Sequence, residues 1–96
     1  MRRAARVDGN QSAIVKALRQ CGATVQDLSR VGEGCPDLAV GLRGKTWLME
    51  CKDDSKPPSA RVLTDDQVIW HREWRGHVVV VKNVAEALAV IGATGR

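Results

Sequence analysis

Residues 36–52 read PDLAVGLRGKTWLMECK. Both halves of this stretch are rich in apolar residues, and Arg43-Gly44 lies between them. A short glycine-containing segment between two apolar runs is typical of a tight β-hairpin turn. If Arg43-Gly44 is a two-residue loop, Leu42 pairs with Lys45, and strands form at residues 37–42 and 45–52. Most of both faces is apolar, so we expect this hairpin to be central in a sheet.

The same register sets Asp37 directly opposite Glu50. A four-residue loop bounded by Gly41 and Thr46 gives the same pairing, whereas a three-residue loop would break it. Directly opposed side chains have Cβ atoms roughly 5 Å apart, and like charges there are destabilising. Two facing carboxylates therefore predict a cation beside them.

Lys52 follows Glu50 by two residues, so both side chains point to the same face of the strand. Mg²⁺ fits such a place because it binds through one or two carboxylates and retains several waters. A lysine beside the ion can orient or deprotonate an attacking water, or offset charge on a phosphate. Alternatively, Asp37, Glu50 and Lys52 are ordinary charges at strand ends, where such residues are common.

Length and charge narrow the class of protein. The 96 residues predict one domain over positions 1–96, with a basic arm at residues 1–9 and a short tail at residues 93–96. The net charge of +4 favours a polyanionic partner such as nucleic acid. Three tryptophans are the only aromatic residues, which argues against a platform on which bases stack.

Cysteine usage and apolar runs indicate the compartment. The three cysteines form no CxxC pair, so they predict buried thiols in a reducing cytosol rather than disulfides or a zinc site. The basic start lacks a following apolar segment and is not a secretory signal. The longest strongly apolar run, residues 78–81, is too short to span a membrane. We therefore expect a soluble, cytoplasmic protein.

Periodicity and capping residues predict the order α-β-β-β-α-β-α, a small mixed sheet flanked by helices. Thr64 and Gln67 have the spacing of a capping box at the start of the second helix. The β-branched run at residues 78–81 predicts a strand buried on both faces. Besides the hairpin, the expected elements are a helix from Asn10 to Cys21-Gly22, a strand at residues 24–31, a helix from Thr64 to Arg75, a strand at residues 78–81 and a helix from Asn83 to Gly92.

With Pro36-Asp37 and Glu50-Cys51-Lys52, the chain resembles the PD-(D/E)xK nuclease superfamily. More narrowly, it resembles the stand-alone virus-type replication-repair nuclease (VRR-NUC) domains carried by bacteriophages. The resemblance rests on VGEGCPDLAVG at residues 31–41, WLMECKDDSKPPSARVLTDDQ at residues 47–67 and a closing tryptophan-glycine pattern at residues 74–76. It covers roughly residues 8–91, and it places a phage-encoded protein in the host cytoplasm.

The resemblance implies a restriction-endonuclease-like fold. It also implies that Asp37, Glu50 and the backbone carbonyl of Cys51 bind Mg²⁺ or Mn²⁺ and that Lys52 is the catalytic lysine. Gln67 matches a glutamine that the family places on the helix after ExK. The alternative for Gln67 is the helix cap alone, and the two roles compete for one side chain.

Gln11 aligns with a metal-linked glutamate on the first helix of related resolvases. The resemblance therefore implies a metal-binding role for Gln11, although glutamine is a weaker ligand for a hard metal than glutamate. The alternative is an exposed residue in the first helical turn. His71 is expected on the surface of its helix.

These features predict a metal-dependent DNA endonuclease that hydrolyses phosphodiester bonds. The resemblance implies a homodimer acting on branched DNA such as a Holliday junction. Flap or nicking activity is the alternative among nucleases, and a non-catalytic basic DNA-binding module is the alternative outside enzymes. The residues expected to contact phosphates, each of which is alternatively a solvated surface charge, are Arg2, Arg3, Arg6, Lys56 and Arg61.

Overall fold

A computed structural model describes residues 9–93. The predicted phosphate contacts Arg2, Arg3 and Arg6, and residues 94–96 of the predicted tail, lie outside this range. The element order α-β-β-β-α-β-α is confirmed. The elements are α1 (Gln11–Gln20), β1 (Thr24–Asp27), β2 (Leu38–Leu42), β3 (Lys45–Cys51), a 3-10 turn (Pro58–Ala60), α2 (Asp65–Glu73), β4 (Val78–Val81) and α3 (Val84–Val90).

The hairpin has the predicted register. β2 and β3 are antiparallel, with Leu42 paired to Lys45. Arg43 and Gly44 have φ values of 52° and 78°. Two consecutive positive φ values are the signature of the turn that matches the twist of a two-residue hairpin. The ladder ends at Leu38, so Asp37 lies one residue before β2.

The sheet is mixed and has the strand order β1-β2-β3-β4. The hairpin strands β2 and β3 are central, as predicted, and β4 runs parallel to β3. The expectation that β4 is buried on both faces is wrong, because β4 is an edge strand and only Val81 is fully buried. The strand predicted at residues 24–31 ends earlier, at Asp27. There the Asp27 carboxylate accepts hydrogen bonds from the Ser29 N–H and hydroxyl, which favours a turn.

One face of the hairpin forms the core with α1 and α3. Full burial of one such aliphatic side chain contributes about 1.5–3 kcal/mol, so this face fixes how the helices sit on the sheet. The opposite face carries Glu50, which follows Met49 and therefore points away from the core. The buried core side chains are Ile14, Leu18, Ala23, Leu38, Val40, Met49, Cys51, Val81, Ala87 and Ile91.

One helix boundary and the role of one helix-terminal residue differ from the predictions. α2 ends at Glu73 rather than Arg75, because the backbone of Trp74 is extended (φ −72°, ψ 130°). Asn10 precedes α1, but its side chain makes no capping bond. Instead, the Asn10 amide donates to the carbonyls of Lys52 (3.0 Å) and Lys82 (2.9 Å). It thereby ties the start of α1 to the ends of β3 and β4.

The cysteines are free thiols, as predicted, but they are not all buried. Cys51 is buried, Cys35 is half-buried and Cys21 is exposed. Cys21 is exposed because it terminates α1 beside the turn at Gly22. Among residues 9–93, no helix has the length and apolar character needed to cross a membrane.

Gly34 lies in the loop before β2, where it closely approaches the backbone of the first turn of α2. Its φ is +85°, and a Cβ at this position would lie 2.4 Å from the Asp66 carbonyl oxygen. We expect Gly34→Ala to lower the free energy of unfolding by about 3 kcal/mol, since it combines backbone strain with a clash. Urea denaturation measures this change.

Gly32→Ala is the matched control for that substitution. Gly32 has a φ of +76°, but an added Cβ would meet nothing within 4 Å. Its cost is therefore the backbone strain alone, about 1 kcal/mol. Equal losses in the two variants would show that the contact between Gly34 and α2 is unimportant.

Candidate active site

Four of the residues predicted for metal binding or catalysis line one cleft. It has a volume of about 690 Å³ and lies between the end of β3, the loop after it and the start of α2. The cleft contains Asp37, Glu50, Lys52 and Gln67. Its other lining residues are Lys56, Ser59, Ala60, Val62, Leu63 and Thr64.

Asp37 is held in place by the backbone of β3. Its Oδ2 accepts a hydrogen bond of 2.8 Å from the Cys51 N–H. In an extended strand, the N–H and C=O of one residue point to the same side. The carbonyl of Cys51 therefore faces the side on which Asp37 lies. Buried Pro36 immediately precedes Asp37 and restricts the chain there.

Glu50 and Lys52 are both withdrawn from solvent. The Glu50 residue is 2% exposed and Lys52 is 8% exposed. Burying charged groups is costly unless they have partners. The Lys52 Nζ lies 3.7 Å from the Glu50 Oε2, and it donates to the Gln67 Oε1 at 3.0 Å.

Gln67 serves the site and the helix cap at once. Its Nε2 donates to the Glu50 Oε2 at 2.9 Å, while its Oε1 accepts from both Lys52 and the Thr64 N–H. The Thr64 hydroxyl in turn accepts from the Gln67 N–H, which completes the predicted capping box. The expectation that the two roles compete is wrong, because a carbonyl oxygen has two lone pairs and the amide nitrogen is a separate donor.

The donor set of the cleft fits a hard divalent cation. The carboxylates of Asp37 and Glu50 outnumber the one buried ammonium group, that of Lys52, while Lys56 is exposed. No group of three or more histidine, cysteine, aspartate or glutamate side chains that could hold a metal occurs among residues 9–93. An ion bound by two carboxylates would complete its shell with a backbone carbonyl and water, as Mg²⁺ does.

A solved structure described as a VRR_NUC domain is similar to this chain. The two share 30% sequence identity and superpose with a TM-score of 0.63, over 84% of this chain and 88% of the solved one. The chain belongs to the VRR-NUC family. The resemblance to VRR-NUC domains and the restriction-endonuclease-like fold are therefore confirmed, whereas the phage origin stays a prediction. No family sequence model and no curated protein sequence matches the chain.

His71 lies closer to the site of this VRR-NUC domain than the sequence predicted. It is half-buried rather than on the surface, and its Nε2 is buried with no hydrogen-bond partner in the described part of the chain. Burial, with a smaller effect of the Lys52 charge, lowers the pKa of His71, which favours a neutral imidazole. Its position four residues after Gln67, on the same helix face, is the signal that could have revealed this.

Cys35 lies close enough to the carboxylates of Glu50 and Asp37 for their charges to affect the pKa of its thiol. Burial first, and then Glu50 and Asp37, raise the pKa of the Cys35 thiol. The thiol therefore stays protonated at neutral pH.

Gln11 is buried, with 5% of its surface exposed, so the interpretation of an exposed first-turn residue is wrong. It is buried because the Asn10 bridge holds the start of α1 against the sheet. Gln11 lines a separate groove of about 640 Å³ between α1 and β1. Its Oε1 has no partner among residues 9–93. Its contribution to metal binding stays a prediction.

Two of the predicted phosphate contacts lie at the cleft or beside it. Lys56 lines the cleft and is exposed. The Arg61 Nε donates to the Lys56 carbonyl at 2.7 Å, which braces the loop that carries Lys56. Both charges therefore lie on the loop between Lys52 and α2, at or beside the cleft that contains the two carboxylates.

Proposed function

We propose that this VRR-NUC domain is a divalent-metal-dependent DNA endonuclease that hydrolyses phosphodiester bonds. The observation that carries this proposal is the gathering of Asp37, Glu50 and Lys52 in one cleft. Similarity to a solved domain of a nuclease family supports the same conclusion. The net charge of +4 suits a polyanionic substrate.

Asp37 and Glu50, with the carbonyl of Cys51, would hold Mg²⁺ or Mn²⁺. When bound, such an ion offsets charge on a scissile phosphate and lowers the pKa of a coordinated water. The protein contributes the fixed placement of the donors. The Cys51 N–H holds Asp37 at 2.8 Å, and the Gln67 amide holds Glu50 at 2.9 Å.

Lys52 presents an ammonium group beside the place where the phosphate would lie. Its bond to Gln67 fixes the direction of the side chain before substrate enters. From that position it can orient the attacking water, accept its proton in the deprotonated form, or offset charge that develops on the phosphate oxygens. Because the side chain is largely buried, charge on Lys52 is less screened than it would be in open water.

We propose that the active form is a homodimer and that the substrate is branched DNA such as a Holliday junction. The two-fold axis of a dimer relates its two clefts, and the two-fold axis of a Holliday junction relates the two strands that would be cut. One dimer would therefore place one cleft at each of these strands. Lys56 and Arg61 would contact the DNA backbone, so affinity should fall steeply as salt rises.

A cleavage assay tests this function. The wild-type protein is incubated with end-labelled junction, flap, nicked, duplex and single-stranded DNA in Mg²⁺, in Mn²⁺ or in EDTA. We expect paired cuts in the junction with either metal and none in EDTA. Preference for flaps or single nicks would replace the junction as the substrate, and binding without any cleavage would indicate a non-catalytic DNA-binding module.

Gln67→Ala tests the residue shared by the cap and the cleft. We expect the free energy of unfolding to fall by about 2 kcal/mol, because one half of the capping box and the bonds to two charged groups are lost. We expect the single-turnover cleavage rate to fall about 30-fold, because Lys52 and Glu50 lose their common support. Urea denaturation and quenched cleavage reactions provide the two measurements.

Thr64→Ala is the matched control for Gln67→Ala. It removes the other half of the capping box but leaves the bonds from Gln67 to Lys52 and Glu50 in place. We expect a loss of about 1 kcal/mol in stability with a nearly unchanged cleavage rate. If both variants lose activity in proportion to stability, Gln67 acts only as a cap.

A further inference from the structure

The outer face of α2 carries two exposed apolar side chains between two opposite charges. Val68 and Ile69 are 46% and 45% exposed. Asp65 precedes them and Arg72 follows them, and both are exposed. At 100° per residue these four positions share one helix face, while Gln67 lies on the opposite face towards the cleft.

No residue of α2 is fully buried. A helix of nine residues has little stability of its own in water and depends on tertiary packing. The inner face supplies the polar contacts of Gln67 with Lys52 and Glu50. Among residues 9–93, Trp70 is half-buried and stacks on Trp74, whereas Val68 and Ile69 each keep nearly half of their surface exposed, so part of the apolar surface of this helix remains unpacked.

We propose that α2 of a second copy of this chain packs on this face, antiparallel and across a two-fold axis. A two-fold interface must be complementary to itself. With the axis between Val68 and Ile69, Val68 contacts the Ile69 side chain of the other copy, and Asp65 meets the Arg72 of the other copy. The outer face therefore matches its own copy in charge and sets apolar side chains against apolar side chains.

The same charges disfavour DNA as the occupant of this face. Asp65 and Asp66 are both exposed in the first turn of α2 and would repel phosphates. In the antiparallel pair, by contrast, the Asp65 carboxylate of one helix would lie beside the Arg72 guanidinium of the other. The opposed helix dipoles add to this attraction.

Pairing of the helices would also support the active site. Gln67 is on α2, and its position fixes Lys52 and Glu50. Packing on the outer face would restrain the helix and hold Gln67 in the cleft. This inference rests on the proposed homodimer. It adds the surface through which the dimer forms and a reason for cleavage to depend on dimerisation.

A charge-swap experiment tests the surface. Asp65→Arg and Arg72→Asp each place two like-charged pairs across the two-fold axis, whereas the double variant restores opposite charges. We expect each single variant to raise the dimer dissociation constant at least about tenfold, and the double variant to return to within about threefold of wild type. Sedimentation velocity over a concentration series measures the constants, and thermal melts by circular dichroism verify folding.

Ile69→Lys provides a second variant that does not alter the ends of the helix. Its matched control is Val31→Lys, because Val31 is also exposed, at 62%, but lies outside α2. We expect Ile69→Lys to weaken dimerisation and lower junction cleavage at low protein concentration, while Val31→Lys leaves the dissociation constant unchanged.

The outcomes separate this inference from the proposed function. A wild-type dimer whose constant is unaffected by the single charge changes and by Ile69→Lys would overturn the α2 surface alone. A wild-type protein that stays monomeric at every concentration would overturn both the surface and the homodimer. Metal-dependent cleavage by such a monomer would leave the proposed nuclease chemistry intact.

Discussion

Asp37→Asn should lower the rate of Mg²⁺-dependent DNA cleavage by about 10⁴-fold, a loss typical of removing a group that holds a catalytic metal. Asparagine keeps an oxygen that can accept the 2.8 Å hydrogen bond from the Cys51 N–H. The fold around the cleft should therefore survive, and the missing negative charge should account for the loss. Single-turnover cleavage gives the rate, and isothermal titration with Mg²⁺ gives the metal affinity.

Asp54→Asn is the control for this substitution. Asp54 follows β3 and is exposed, and its carboxylate accepts a hydrogen bond from the Asn83 amide rather than lining the cleft. We expect this variant to bind Mg²⁺ and cleave DNA as the wild type does. Wild-type cleavage that persists in EDTA, or Asp37→Asn that cleaves within tenfold of wild type, would contradict the proposed mechanism.

Lys52→Ala should lower the cleavage rate by about 10³-fold, the loss typical of removing a charged group that assists a transition state. The Lys52 ammonium lies 3.7 Å from the Glu50 carboxylate and is held by Gln67. Its removal leaves the two carboxylates in place, so Mg²⁺ should bind at least as tightly as in the wild type. A strong loss of rate with retained metal binding is the pattern that separates Lys52 from Asp37.

Lys56→Ala is the matched control, because Lys56 lines the same cleft but is exposed. It should weaken DNA binding and reduce the salt dependence of affinity, while the rate at saturating protein changes little. If Lys52→Ala behaves like Lys56→Ala in both measurements, Lys52 only contacts the DNA backbone.

Local sequence was sufficient for the hairpin and for the capping box. Arg43-Gly44 set the turn, the turn set the register, and the register brought Asp37 beside β3. The spacing of Thr64 and Gln67 likewise predicted the start of α2. In each case the interacting residues lie close together in the chain, so spacing rules determine their contacts.

Contacts between distant residues could not be predicted in this way. Asn10 looked like a helix cap, yet its amide binds carbonyls that lie 42 and 72 residues away. That bridge buries Gln11, which was expected to be exposed unless it bound metal. The all-valine β4 was predicted to be buried on both faces but is an edge strand, because a β-branched composition favours a strand without fixing its place within the sheet.

The contacts of Gln67 restrict which residue position 67 can accept. A primary amide of this length offers a donor for Glu50 and an oxygen shared by Lys52 and the Thr64 N–H. Glutamate would set a third negative charge against Glu50, lysine would offer no acceptor, and asparagine is one methylene shorter. Any substitution would therefore lose either the bond that caps α2 or the bonds that align Lys52 and Glu50. The start of the helix and the geometry of the cleft thus require the same side chain.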